Sequence, residues 1–80
     1  MRVAVRLFAT LVRYRDGAAS GEPFDTDLED DATIGDLLDT LGIPAEEVHL
    51  TIVDGRVVHS AHHSLRGATR VGLFPPVGGG

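Results

Sequence analysis

The chain has 80 residues, the length of one small domain whose hydrophobic core is only just large enough for stability. It contains no cysteine, which excludes disulfides, thiolate metal sites and a cysteine nucleophile, and its apolar runs are too short to span a membrane. The net charge of −5 comes from an acidic stretch over residues 21–55 between arginine-bearing ends, which argues against nucleic acid as the main partner. No signal peptide opens the sequence, so a cytoplasmic location is expected.

The front of the chain predicts two strands joined by a short helix. Apolar and polar residues alternate over residues 3–8, which indicates a half-buried first strand. Leu11 and Tyr14 lie three positions apart before Gly17, a spacing that suits a short helix ending at a glycine. Phe24, Thr26 and Leu28 then alternate with acids, and this pattern is typical of an edge strand whose charged face discourages unwanted pairing.

The middle of the chain predicts one amphipathic helix. Thr33 and Asp36 have the spacing of a capping box at a helix N-terminus. An apolar stripe at helical spacing follows, formed by Ile34, Leu37, Leu38 and Leu41. Gly42 is placed to end the helix, and Pro44 lies just beyond it. A helix of this kind needs a sheet to cover its apolar face.

The back of the chain predicts a hairpin and a last strand. Residues 50–58 read as two short strands joined by Asp54-Gly55, a pair that suits a type I′ turn because both positions tolerate positive φ. A polar loop over residues 59–64 and a turn over residues 66–68 precede a strand over residues 70–74.

This order of elements predicts an α+β domain of the β-grasp, or ubiquitin-like, kind. We expect a mixed sheet of about five strands crossed by one main helix, plus a short helix after the first strand. The last strand is expected to run parallel to the first, since a helix connects the two halves. The domain is expected to cover residues 1–74, and residues 75–80 are expected to form an extended glycine-rich tail.

Few side chains have the context that catalysis or metal binding needs. His59, His62 and His63 lie in a predicted loop without a cysteine or a clearly placed carboxylate, so no metal site is predicted. The acidic pairs at residues 30–31 and 46–47 flank helix starts, where the helix dipole stabilises negative charge. No phosphate-binding motif or nucleophile–base set is present, so the sequence predicts no cofactor and no enzyme in its own right. A small enzyme built on the histidine loop is the disfavoured alternative.

The most informative segment is the end of the given chain, where two prolines and a valine precede three glycines. Proline lacks an N–H group and cannot extend a strand's ladder, and glycine carries no side chain that blocks a close approach. From Pro75 to Gly80 such a tail can reach at most about 20 Å. It could therefore carry a carboxylate into the active site of another protein, although a glycine-rich end taken alone is usually frayed.

The sequence resembles the MoaD/ThiS family of ubiquitin-like sulfur carriers over nearly its whole length. Residues 5–11 are similar to that family's first strand and helix, residues 33–38 to its crossover helix and residues 53–58 to its hairpin. Residues 71–80 look like the family's end, and the Phe-Pro-Pro-Val spacer favours the MoaD branch. The turn at residues 66–68 and the third glycine depart from the MoaD pattern.

The resemblance implies a carrier that is a protein co-substrate. An ATP-dependent adenylyltransferase of the ubiquitin-activating type, similar to MoeB or ThiF, would adenylate the carboxylate of Gly80, and sulfur transfer would make it a thiocarboxylate. The tail would then enter a larger, MoaE-like subunit of molybdopterin synthase, a two-subunit sulfurtransferase, and donate sulfur in molybdenum (or tungsten) cofactor biosynthesis. The residues expected to thread into the partner are Pro75, Pro76, Val77, Gly78 and Gly79.

The resemblance also implies a docking surface, and it leaves other functions open. Phe8, Val57 and Phe74 match positions of a hydrophobic patch in MoaD-type carriers, while core packing is the alternative for each of them. The alternative functions are sulfur delivery for thiazole (thiamine) synthesis, cysteine synthesis or tRNA thiolation, and a ubiquitin-like protein modifier or adaptor.

Overall fold

The computed structural model describes residues 1–76 of the chain. The strands of this part are β1 (Arg2–Leu7), β2 (Pro23–Asp27), β3 (Leu50–Val53), β4 (Arg56–Val58) and β5 (Arg70–Phe74). Its helices are α1 (Ile34–Leu41) and the 3₁₀ helices Ala9–Tyr14 and Ala45–Glu47. None of the helices in the described part is both long and apolar enough to cross a membrane.

The five strands form one mixed sheet with the order β2-β1-β5-β3-β4. The first and last strands, β1 and β5, are parallel neighbours near its centre. The other adjacent pairs, β1–β2, β3–β5 and β3–β4, are antiparallel. Parallel neighbours need a crossover connection, and here the connection includes α1. The predicted β-grasp fold and the predicted parallel pairing are confirmed.

The core lies between one face of the sheet and α1. Alternate strand residues point to this side, and the helix contributes its predicted apolar stripe. The core cluster consists of Val3, Val5, Leu7, Leu11, Ile34, Leu37, Leu38, Ile43, Val53, Leu65, Val71 and Leu73. Full burial of one such side chain contributes about 1.5–3 kcal/mol, so this face holds the domain together. Leu41, the last member of the stripe, is only partly buried.

The N-terminus of α1 has the predicted capping box. The Thr33 hydroxyl accepts a hydrogen bond from the Asp36 N–H at 3.2 Å, and the Thr33 N–H donates to an Asp36 carboxylate oxygen at 2.9 Å. Gly42 ends the helix with φ of 75°, a left-handed conformation that glycine adopts without strain.

The loop over residues 59–64 is joined to the same end of α1 through its backbone. The Ile34 N–H donates to the His63 carbonyl at 3.1 Å, and the Gly35 N–H donates to the Ala61 carbonyl at 2.9 Å. These two bonds satisfy first-turn N–H groups that have no partner within a helix. A Cβ atom at Gly35 would lie 3.3 Å from the Ala61 oxygen, so the missing side chain permits this close approach.

Two details of the predicted elements were wrong. The short helix after β1 is a 3₁₀ helix, and it does not end at Gly17 as predicted. It ends before Arg15, which is extended and donates its N–H to the Val12 carbonyl, and Gly17 lies in the turn that follows. The 3₁₀ helix Ala45–Glu47 was missing from the predicted order of elements, although the acidic pair at residues 46–47 indicated a helix start, because three residues show no helical periodicity. Contacts between the two segments hold both in place, since Arg13 and Tyr14 each hydrogen-bond the Glu47 carboxylate.

Candidate functional site

The end of β5 brings the chain to the predicted tail. Leu50 pairs with Phe74, and the Phe74 carbonyl accepts the last ladder bond from the His49 N–H at 2.8 Å. The next residue, Pro75, is buried, whereas Pro76 is exposed. Proline cannot donate to the ladder, so the sheet pairing stops here. The chain is therefore still buried at Pro75, one residue beyond the predicted end of the domain at residue 74. The division into a domain and a tail remains a prediction.

The remaining predicted tail residues, Val77, Gly78, Gly79 and the reactive Gly80, lie outside the described residues.

The sheet face opposite α1, which we call the open face, has no helix across it within residues 1–76. One row of paired residues crosses four strands of this face. Arg6 of β1 pairs with Gly72 of β5, Gly72 with Ile52 of β3, and Ile52 with Val57 of β4. Gly72, in the middle of this row, has no side chain of its own.

An aromatic pair lies over Gly72. The rings of Phe8 and Phe74 stack with their centroids 4.2 Å apart and their planes at 7°. A Cβ atom at Gly72 would lie 3.3 Å from the Phe74 ring and 3.5 Å from the Phe8 ring, so the pair packs onto the bare backbone. A Cβ atom at Gly21 would likewise lie 3.2 Å from the Phe8 ring. Aromatic pairs contribute about 0.5–1.5 kcal/mol beyond area burial, which stabilises the ring positions.

The three predicted interface residues all lie outside the core cluster. Phe8 and Phe74 are half-buried on the open face, and Val57 keeps 51% of its surface exposed. Within residues 1–76, Val57 is the one large hydrophobic residue that is exposed. The structure thus places them where a partner could reach them, and contact with a partner stays a prediction.

A shallow groove of about 270 Å³ lies on the open face beside the aromatic pair. Its lining includes Arg6, Phe8, Ile52, Gly55, Arg70, Gly72 and Phe74. None of these lining side chains is an acid, a histidine or a nucleophile, and the lining combines apolar residues with two arginines. Sequence reasoning missed Arg6, Ile52 and Arg70, because alternation places each on one side of a strand and only the strand order brings them together.

Asp54 links the β3–β4 turn to the segment before β5. Its carboxylate accepts hydrogen bonds from the Thr69 hydroxyl at 2.7 Å, the Thr69 N–H at 3.1 Å and the Arg70 N–H at 3.0 Å. These bonds, with that of the Thr69 hydroxyl the strongest, lower the pKa of the Asp54 carboxyl below its usual value. The sequence showed Asp54 only as a turn residue, and the structure adds this second role.

The histidine loop does not form a metal centre in the described structure. Within residues 1–76, no three or more His, Asp or Glu side chains are grouped so that they could hold a metal ion. The visible role of the loop is the backbone contact with α1, in which carbonyl groups rather than imidazoles take part.

Comparison with known families identifies the family of the chain. The model of the ThiS family matches residues 5–80. The chain belongs to the ThiS family. This assignment confirms the predicted resemblance and places the chain among small ubiquitin-like carriers or modifiers, which are not themselves catalytic. Membership of this family also implies a partner enzyme of the ubiquitin-activating kind, as predicted.

Three solved structures from Haloferax volcanii are similar to this ThiS family member. The crystal structure of SAMP1 has a TM-score of 0.70 at 24% identity over 100% of both chains, a likeness that shows the fold. The solution structure of the HVO 2177 protein has a TM-score of 0.72 at 26% identity over 100% of this chain and 87% of that one. A crystal structure of small archaeal modifier protein 1 has a TM-score of 0.68 at 29% identity over 95% and 98%. No curated protein sequence gives a significant match.

Proposed function

We propose that this protein is a sulfur carrier whose Gly80 carboxylate is adenylated and then converted to a thiocarboxylate. The observation that carries the proposal is the extent of the family match, which runs through the glycine tail to residue 80. The described fold supports it, because β5 ends at a proline spacer beside an open face. Under this proposal residues 1–74 form the carrier domain and residues 75–80 the tail that enters the partner.

The chemistry splits one difficult substitution into two easier ones. An oxygen of the Gly80 carboxylate attacks the α-phosphorus of ATP, which forms an acyl adenylate and releases pyrophosphate. Hydrosulfide then attacks the carbonyl carbon, and AMP leaves with the oxygen that had joined phosphorus. A protein persulfide can replace hydrosulfide if a thiol then reduces the acyl disulfide. Glycines at positions 79 and 80 leave space for the nucleotide in the partner's site.

We assign the molybdenum (or tungsten) cofactor pathway as the destination of the sulfur. The MoaD-like front half and the Phe-Pro-Pro-Val spacer support this branch. The partners are then a MoeB- or ThiF-like activating enzyme and a MoaE-like larger synthase subunit in the cytoplasm. Phe8, Val57 and Phe74 would contact them through the open face.

A protein modifier is the second candidate, and one comparison favours it. The similar Haloferax volcanii structure at 29% identity is that of a small archaeal modifier protein. The same acyl adenylate could react with a lysine amine of a target and form an isopeptide bond with loss of AMP. The given sequence contains no lysine, so the acceptor amine would belong to the target protein. Sulfur delivery to thiazole, cysteine or tRNA synthesis uses the same activated terminus.

The test is intact mass spectrometry of the full chain after incubation with its activating enzyme, ATP and sulfide. The carrier should gain the mass difference between one sulfur and one oxygen atom. The matched controls are omission of ATP and a variant with one residue added after Gly80, neither of which should gain mass.

The outcomes separate the candidates. An unchanged mass, together with full function of Gly80→Ala and of the extended variant, contradicts the carrier proposal. Attachment to target lysines without a stable thiocarboxylate favours the modifier. Transfer of sulfur from the loaded chain to a pterin precursor by a MoaE-like subunit selects the molybdenum branch over the other sulfur pathways.

A further inference from the structure

Two arginines flank the groove on the open face. The ion pairs of the described residues are Met1–Asp30, Arg2–Asp27 and Arg13–Glu47, and neither Arg6 nor Arg70 takes part in one. Among residues 1–76, the Arg6 side chain makes one hydrogen bond, which it donates to the Gly21 carbonyl at 3.3 Å. The guanidinium of Arg70 lies over the hairpin turn, 3.9 Å from the position of a Cβ atom at Gly55.

Neither arginine forms an ion pair with an acid of residues 1–76. On β2, Asp25 pairs with Ala4, two positions from the residue opposite Arg6, and Asp54 uses its carboxylate on Thr69 and on the backbone N–H of Arg70. Arg70 lowers the pKa of Asp54 slightly through its charge but does not approach it within ion-pair distance. Both guanidinium groups can therefore donate hydrogen bonds to a carboxylate from outside the domain. A planar guanidinium binds a carboxylate with two parallel hydrogen bonds.

The surface between the arginines is apolar. Its apolar lining includes Ile52 and the Phe8–Phe74 pair, whose rings pack on Gly72. A groove of about 270 Å³ accommodates one large side chain and not a folded element. Apolar anchors seated in such pockets carry most of the binding energy at protein interfaces.

We propose that the groove between Arg6 and Arg70 receives an apolar side chain flanked by carboxylates from the partner protein. This rests on the proposed function, in which the open face docks, and it adds the chemistry of the partner's contact. The net charge of −5 repels an acidic partner from the rest of the surface, so the arginine-flanked groove also orients the approach. Arg6 and Arg70 then determine which partners bind.

The test is an NMR titration of the ¹⁵N-labelled full chain with three blocked tripeptides, Asp-Phe-Asp, Asp-Ala-Asp and Lys-Phe-Lys. We expect saturable shifts with Asp-Phe-Asp at the amides of Ile52, Gly55 and Gly72, and no saturable shifts with the other two peptides. The double variant Arg6→Gln/Arg70→Gln should weaken binding at least about tenfold, since charge-assisted hydrogen bonds are the strong ones. The matched control Arg66→Gln removes an exposed arginine outside the groove and should leave binding unchanged.

Several results overturn the inference. They are equal binding of Lys-Phe-Lys, an unchanged affinity of the double variant, and no shifts up to the solubility limit of Asp-Phe-Asp. The same amides could also shift when the chain is concentrated without peptide. That result would show that a second copy of the chain occupies the groove, and it would overturn the inference as well. The titration needs neither ATP nor Gly80. A negative titration would therefore not contradict thiocarboxylate formation, and a failure to form the thiocarboxylate would not affect the result of the titration.

Discussion

Single residues decide the shape and charge of the open face. Gly72 lets the Phe8–Phe74 pair lie against the backbone, and Asp54 holds the hairpin turn against the start of β5. Glycine in a strand interior is destabilising by about 0.5–1 kcal/mol relative to alanine. Here the stacked rings fill the space that a side chain would take, so Gly72 is a packing requirement of the face.

The carboxylate of Asp54 should make the stability of the domain dependent on pH. Because its pKa is lowered in the folded protein, its stabilising effect is present above the ordinary carboxyl value of about 3.9 and is lost as pH falls through the lower folded value. Asp54→Asn, which keeps the turn's tolerance of positive φ, should lower the free energy of unfolding by about 1 kcal/mol at neutral pH. Urea unfolding at neutral and acid pH measures this difference.

The difference between Asp54→Asn and the unmodified chain should shrink below pH about 4. Asp39→Asn serves as the control, because Asp39 is an exposed acid of α1 whose side chain makes no hydrogen bond in the described structure. A constant difference across the whole pH range would show that the turn geometry, and not the charge, is responsible.

At the scale of elements, α1 and the loop over residues 59–64 form one unit. The helix receives the capping box from its own sequence and two further backbone bonds from the loop. Signals for the helix lie within ten neighbouring residues, which is why sequence reasoning predicted it. The bonds from the loop join residues far apart in the chain, and no local pattern indicates them.

Replacement of the three loop histidines tests whether the loop acts through its backbone. The combined variant His59→Gln/His62→Gln/His63→Gln should change the free energy of unfolding by less than about 0.5 kcal/mol, because exposed substitutions away from special features have small effects. Thiocarboxylate formation should also be unchanged. Thr33→Ala, which removes the cap and keeps every histidine, should be destabilising by about 1 kcal/mol in the same urea assay.

Loss of activity in the histidine variant with unchanged stability would revive the alternative of an enzyme or metal site built on this loop.

At the scale of the whole molecule, the sheet separates two tasks. One face packs on α1 and supplies the core, and the other carries the aromatic pair, the groove and Val57. Both central strands contribute alternate residues to each side, so a change on the open face can affect docking with little effect on the core.

Val57→Ser should separate docking from folding. Because Val57 is half exposed outside the core, the variant should unfold at nearly the same urea concentration as the unmodified chain. Loss of an interface contact worth about 1 kcal/mol should raise KM for the chain in the activating reaction about fivefold, with kcat unchanged. Thr40→Ser, an exposed change on α1, is the matched control. An unchanged KM would remove Val57 from the docking surface.

The amino-acid sequence by itself determined the identity of the strands, of α1 and of the turn at Asp54-Gly55, because periodicity, caps and turn residues act within a few positions of the chain. It also indicated the carrier tail and the family resemblance. Only the tertiary structure decided the composition of the open face. Arg6, Gly72, Ile52 and Val57 come from four strands that become neighbours through the sheet order β2-β1-β5-β3-β4. That order depends on contacts between core residues that lie far apart in the chain. No pattern within a single segment of the sequence indicates such contacts.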